Sequence, residues 1–237
     1  MPMRFLIETH AELGTELTLD AQRAHYLCKV MRLTRGDTVD CFNGRGIAFS
    51  AELLTSTAKK CELRITQVEP VVLPVEPALH LGLSLLKGQA MDRALQQATE
   101  LGARSISLIS AQRSNVQLKG ERTDNKLAHW RKIVAGACEQ SGHLHLPALS
   151  PPMSLSDLLN TSQAKVTVLD MHGETLPLQL EPQTRLILIG PEGGWDEGER
   201  DLFAQHDLPC FSINPGTLRA ETTPAVALAL FYHVSRS

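Results

Sequence analysis

Residues 186–199 combine types that could build a ligand pocket. The apolar run Leu186-Ile187-Leu188-Ile189 meets Gly190-Pro191-Glu192-Gly193-Gly194, and Trp195-Asp196-Glu197-Gly198-Glu199 follows. The pattern predicts strand, glycine loop, helix, and glycines let backbone come close to a ligand. It is neither a Walker A loop, since no Gly-Lys-Ser/Thr follows, nor a GxGxxG turn. Asp196 and Glu199 have capping-box spacing, and Glu197 adds charge to the first helical turn. Carboxylates there repel a phosphate that a bare helix N-terminus would attract. The loop suits a ligand without phosphates; a tight turn with no ligand is the alternative.

S-adenosylmethionine is one such ligand. Its sulfonium is cationic, and backbone N–H and C=O groups can read its adenine. A second Pro/Gly connection spans residues 213–224, Ile213-Asn214-Pro215-Gly216-Thr217-Leu218-Arg219-Ala220-Glu221-Thr222-Thr223-Pro224. Thr222 or Thr223 can cap the next helix, with Pro224 at its first position. Arg219 and Glu221 can then face the C-terminal edge of a sheet, where α/β folds bind ligands. A surface ion pair between them, worth little, is the plainer reading.

Two kinds of element surround these loops. Strands at 38–42, 47–54 and 61–68, the turn Asn43-Gly44-Arg45-Gly46 and one helix at 20–31 capped by Asp20 predict a small β domain over residues 1–70. Prolines at 70, 74 and 77 make residues 71–77 a stiff linker. Residues 78–237 alternate strands (79–86, 105–109, 166–169, 185–189, 209–213) with helices (92–101, 124–140, 197–205, 224–233). That order predicts an α/β fold with a mostly parallel sheet covered on both faces.

Charge is unevenly spread: residues 1–70 are neutral overall, 71–150 carry +3 and 151–237 carry -6. Nucleic-acid contact therefore falls to the first two thirds, where Lys29, Arg32 and Arg45 form part of a basic stretch. Aromatic residues make up 4%, too few for broad base-stacking platforms. Five cysteines without CxxC spacing point to free thiols and no metal site. No apolar run reaches the roughly 18 residues of a membrane span. The expectation is a soluble, cytoplasmic protein with no membrane and no metal.

Gly190-Pro191-Glu192-Gly193-Gly194 followed by Leu218-Arg219-Ala220-Glu221-Thr222 resembles the RsmE family of 16S ribosomal RNA uridine N3-methyltransferases, of the SPOUT class. The resemblance runs end to end. It includes His25-Tyr26-Leu27-Cys28-Lys29-Val30-Met31-Arg32-Leu33 with Gly36-Asp37, then Lys87, Ala98-Thr99-Glu100-Leu101-Gly102, and Glu139-Gln140-Ser141-Gly142 with Pro147. Two places depart from the family: His143 stands for its usual Arg, and Asn214-Pro215-Gly216-Thr217 for its usual Leu-Gly-Pro-Arg. Both departures remove a cation.

The resemblance implies a PUA-like β-barrel, then a SPOUT α/β domain with a C-terminal trefoil knot, and a homodimer. It implies S-adenosylmethionine held by backbone of Leu169, Gly190, Gly193, Gly194 and Ile213, with Leu218 on the adenine and Ile189, Pro191 and Thr222 beside them. Lys29, Arg32, Arg45 and Arg113 are the expected RNA contacts, on 16S rRNA in the small ribosomal subunit. Methylating N3 of uracil needs the imide proton removed and its anion aligned. Arg219 is the expected cation, and Glu221 or Glu192 could accept the proton or orient Arg219. The competing functions are a ribose 2'-O-methyltransferase of the same class, a non-catalytic RNA-binding or assembly factor, and a nicotinamide-dependent oxidoreductase. The missing GxGxxG and the acidic helix start speak against the last.

Overall fold

A computed structural model describes residues 4–57, 60–70, 78–181, 183–213 and 216–235. The linker expected at residues 71–77 lies outside them. The chain divides into two compact units, one of Met1–Leu73 with Cys138–Leu146, the other of Pro74–Ala137 with Pro147–Ser237.

The first unit holds β1 (Phe5–Leu6), β2 (Glu16–Thr18), α1 (Ala21–His25), β3 (Thr38–Phe42), β4 (Ile47–Ser56) and β5 (Cys61–Pro70). They form one sheet in the order β1-β3-β4-β5-β2, antiparallel apart from β1 against β3. On β5, Cys61, Leu63 and Ile65 are buried while Glu62, Arg64 and Thr66 are not, the period of two that a one-sided sheet requires. Phe5, Leu27, Val39, Cys41, Phe49 and Leu53 complete that core. Asn43 makes the expected turn: its Oδ1 accepts from the N–H groups of Arg45 (2.8 Å) and Ile47 (3.1 Å).

Asp20 caps α1, accepting from the Arg23 N–H. The single helix expected over 20–31 does not persist, however. After His25 the chain widens into a π-helical turn, Tyr26–Val30, closed by Met31 N–H on the Tyr26 carbonyl at 3.0 Å. Tyr26 then lies against Phe5, with ring centroids 5.7 Å apart. Arg32 ends the turn at a φ of 58°, an uncommon conformation for a side chain with a Cβ.

The linear boundary hides one feature of this unit. Residues 138–146 belong to it. The Glu139 carboxylate accepts from the Leu6 N–H at 2.9 Å, and Leu146 N–H donates to the Gly44 carbonyl at 3.0 Å. Gly44 has a φ of 73°, and a Cβ there would lie 2.8 Å from Leu146, so the position requires glycine.

The second unit contains β6 (Leu79–Ser84), α2 (Gln89–Glu100), β7 (Ser105–Ile109), α3 (Glu121–Ser141, whose last residues fall in the first unit), β8 (Ala148–Leu149), α4 (Leu155–Thr161), β9 (Lys165–Thr175), β10 (Arg185–Ile189), α5 (Glu197–Gln205), β11 (Cys210–Ser212) and α6 (Thr223–Val234). The sheet order is β11-β9-β10-β6-β7-β8, with every pair parallel. All five residues of β10 are buried, as a strand covered on both faces must be. Met91, Ala94, Leu95 and Ala98 form the buried stripe of α2 at helical spacing. On another face Leu155, Leu158, Val168, Leu186, Leu188, Trp195 and Phe203 pack into one cluster.

Candidate functional site

β10 delivers the chain to Gly190 and the glycine loop. Gly194 N–H bonds the Pro191 carbonyl at 2.9 Å, and Gly194 has a φ of 68°. A Cβ on Gly194 would meet open space, so conformation rather than room selects glycine there. Gly190 differs: a Cβ would lie 3.2 Å from the Trp195 indole, which lies against the loop backbone. A Cβ on Gly193 would come 3.0 Å from Cβ of Arg113.

The capping box is formed. Asp196 Oδ1 accepts from Glu199 N–H at 2.7 Å, and Glu199 Oε2 accepts from Asp196 N–H at 2.9 Å. The second oxygen of Glu199 accepts from Gln112 N–H at 3.0 Å, tying the segment after β7 to α5. These carboxylates satisfy the N–H groups of Asp196 and Glu199 and put negative charge at the helix start, which disfavours an anion there.

β9 opens the opposite wall. Its ladder with β11 pairs Cys210 with Val168, then jumps to Phe211 with Glu174. Residues 169–173 thus have no ladder partner on β11 and form a bow, of which residues 169–172 line the cavity described below. The Trp195 indole Nε1 donates to the Leu169 carbonyl at 3.0 Å, where the bow begins. Asp170 accepts from His172 N–H at 3.0 Å and pairs with Arg200 at 3.0 Å. Burial, aided by the Asp170 charge, pushes the Cys210 thiol above its ordinary range.

A cavity of about 290 Å³ lies between the glycine loop, the bow of β9 and the segment before α6. Of the residues expected to hold a cofactor, Leu169, Ile189, Gly190, Pro191, Gly193, Gly194, Ile213 and Leu218 line it, and Thr222 does not. Thr222 N–H bonds the Arg219 carbonyl at 2.9 Å instead. Among the expected catalytic residues Glu192 lines the cavity. Its carboxylate accepts from Lys87 N–H at 3.4 Å. Arg219 is exposed and does not line the wall, although its neighbours Leu218 and Ala220 do. Glu221 lies 3.9 Å from Arg93 on α2.

Arg113, expected on an RNA surface, lines this cavity too and donates to the Gly193 carbonyl at 3.4 Å. Lys29, Arg32 and Arg45 are exposed in the first unit. Asn214 and Pro215, half of the departing loop, lie outside the described residues. Sequence reasoning missed Asp170, His172, Trp195 and Arg200. Trp195 carried a signal, being a large aromatic directly after the glycines. Asp170 and Arg200 carried none, because a contact distant in sequence brings them together.

The family described as RNA methyltransferase domain matches residues 74–232, more than half of the chain, and RNA methyltransferase PUA domain matches residues 19–66. Ribosomal RNA small subunit methyltransferase E of Helicobacter pylori strain J99 is 30% identical over 87% of this chain and 89% of its own length.

The chain belongs to the ribosomal RNA small subunit methyltransferase E family.

The family member of Synechocystis is 28% identical over 97% of this chain and 77% of its own length. Solved structures agree. The family member of Neisseria gonorrhoeae, bound to S-adenosyl methionine, has a TM-score of 0.86 at 26% identity, covering 96% of this chain and 95% of that one. A Legionella pneumophila methyltransferase in complex with the cofactor SAM has a TM-score of 0.87 at 28% identity, covering 97% and 96%. The six-stranded parallel unit is thus the family's methyltransferase fold, and the five-stranded unit carries its PUA domain.

Proposed function

We propose that this chain transfers a methyl group from S-adenosylmethionine to N3 of a uridine in 16S ribosomal RNA. One observation carries the reading: the two glycine-bearing loops and the bow of β9 close on a single cavity whose wall combines glycine-loop backbone, apolar side chains and a few charged groups. The cavity fits the cofactor's chemistry. Gly190 and Gly193 keep backbone within reach where a Cβ would meet the indole or Arg113. Leu169, Ile213 and Leu218 offer apolar walls for a flat base, and Gly194 and Pro191 shape the turn around it. Glu192 places negative charge beside a cationic sulfonium rather than beside a phosphate. Bound S-adenosylmethionine supplies the methyl group.

The chain's own residues then have two tasks. They hold the uracil edge in line, which accounts for much of such a rate enhancement. They also stabilise the negative charge that spreads over the uracil oxygens as the N3 proton leaves. Arg219, exposed beside the cavity-lining Leu218, is the proposed cation. Glu192 is the better placed carboxylate, since it lines the cavity while Glu221 is turned toward Arg93. Arg219→Ala should lower methyl transfer at unchanged cofactor affinity. Wild-type turnover in that variant would refute the role.

RNA is held through Lys29, Arg32 and Arg45, which are exposed and, among the described residues, outside every ion pair. Arg113 adds a guanidinium at the cavity. The substrate is 16S rRNA within the small subunit, in the cytoplasm. A C-terminal knot and a homodimer complete the proposal. In support of a second copy, α6 leaves Val226 and Leu230 half-buried and Ala229 exposed in the single chain. Among the described residues no helix is long and apolar enough to cross a membrane. Sedimentation should give twice the chain mass; a monomer at working concentration would contradict the dimer.

A further inference from the structure

The cavity carries charge that neither the glycine loop nor methyl transfer explains. Asp170 and Arg200 both line it and pair at 3.0 Å. The Asp170 side chain is only 7% exposed, and that of Arg200 is 39% exposed. Arg200 is fixed by two acceptors. Its Nε donates to the Trp195 carbonyl at 3.3 Å and its Nη2 to Asp170. Among the described residues Nη1 has no hydrogen bond. Both anchors leave the guanidinium fork held in one orientation while part of it faces the cavity.

A held guanidinium with a spare N–H is suited to a carboxylate, which it binds by charge-assisted hydrogen bonds. Because it is already oriented, little side-chain entropy is lost on binding. Asp170 adds a second property. It neutralises most of the Arg200 charge, so a ligand bearing a cation beside its carboxylate is not repelled. That description fits the zwitterionic end of an α-amino acid. Arg113 is the other guanidinium of the cavity, but it is an exposed residue and has no carboxylate partner among the described residues. It suits an anion without an accompanying cation.

We infer that the Asp170–Arg200 pair is the subsite for the amino-acid end of the cofactor, with Arg200 receiving its carboxylate. The inference rests on the S-adenosylmethionine reading above and assigns the end of the cavity that reading leaves open.

Binding of two nucleosides by calorimetry tests it. S-adenosylhomocysteine carries the amino-acid end, and 5'-methylthioadenosine lacks it. Arg200→Gln should weaken S-adenosylhomocysteine roughly tenfold to a hundredfold, the value of a charge-assisted hydrogen bond, and change methylthioadenosine less than about twofold. Arg200→Lys, which keeps the cation, should recover part of the loss and guards against a variant that fails to fold. Equal weakening of both ligands would mean that Arg200 only props Trp195 and Asp170, and would overturn the inference. So would unchanged binding of both with weaker RNA binding, which would assign the guanidinium to a phosphate. If the wild-type protein binds neither nucleoside, the cofactor reading itself is lost, and the inference falls with it.

Discussion

The indole Nε1 of Trp195 donates to the carbonyl of Leu169 across 3.0 Å, joining the end of the glycine loop to the residue where β9 leaves its ladder with β11. One face of the ring lies against Gly190, and Phe203 meets the indole edge-on at 5.1 Å. Trp195 is 1% exposed. A single buried side chain therefore fixes the spacing of two cavity walls.

Trp195→Phe removes the donor and leaves the Leu169 carbonyl without this partner. An unmet buried group costs about 1–3 kcal/mol. Trp195→Ala adds a cavity, for a total of about 3–5 kcal/mol. Urea unfolding should show both losses as a lower midpoint at unchanged slope. S-adenosylhomocysteine affinity should fall in Trp195→Phe as well; an unaltered midpoint and affinity would show that the bond is dispensable.

The three loop glycines should respond differently to alanine. Gly194→Ala forces a positive φ on a residue with a Cβ, at a cost of about 1–2 kcal/mol in stability. Gly190→Ala pushes its Cβ toward the indole from 3.2 Å and should weaken S-adenosylhomocysteine about tenfold, or ~1.4 kcal/mol. Gly193→Ala should displace Arg113 and weaken RNA more than cofactor. Equal effects of all three on affinity would mean that the loop does not line the site as described.

Arg32 separates charge from fold. Its φ of 58° is costly for arginine and free for glycine. Arg32→Gly should leave stability unchanged or raise it by up to about 1 kcal/mol. RNA affinity should fall, and the slope of log K against log salt should drop by about one. A destabilised Arg32→Gly protein with unaltered RNA binding would remove Arg32 from the interface.

Buried thiols set the alkaline limit. Burial pushes Cys41 and Cys138 up to about 12, above the ordinary 9.0. The neutral thiol is the form the fold favours. Between those values the unfolded chain releases protons that the native chain keeps, so stability is complete below about pH 9 and falls as pH rises toward 12. Unfolding midpoints between pH 8 and 11 should decline, and less steeply in Cys138→Ala. A flat profile would contradict the burial of these thiols.

The local parts of the site were legible from residues alone. The bounds of β3 follow from weak alternation before the Asn43 turn, those of β7 and β10 from short apolar runs, and the start of α5 from Asp196 with Glu199, signals that lie within a few residues of the elements they define. Helix α4 was equally legible and went unread: Ser154 accepts from Asp157 N–H, the spacing of a capped start. Other features had no local signal. β1, β2 and β8 are two or three residues long, too short to show a period. The bow at residues 169–173 depends on where β11 resumes pairing, which no window on β9 contains. The π-helical turn brings Tyr26 against Phe5, a contact far off in sequence. Arg219 and Glu221 were rightly placed in a loop, but which way each points is decided by contacts such as Arg93.

The most direct measurement is the position of the methyl group. Small subunits from a strain lacking this protein would be incubated with it and S-adenosylmethionine, and the 16S rRNA digested for nucleoside mass spectrometry. One new 3-methyluridine per 16S rRNA is expected, formed more slowly when Arg219 is replaced by Ala. A methyl group on a ribose 2'-oxygen, or no transfer by a protein that binds the cofactor, would contradict it.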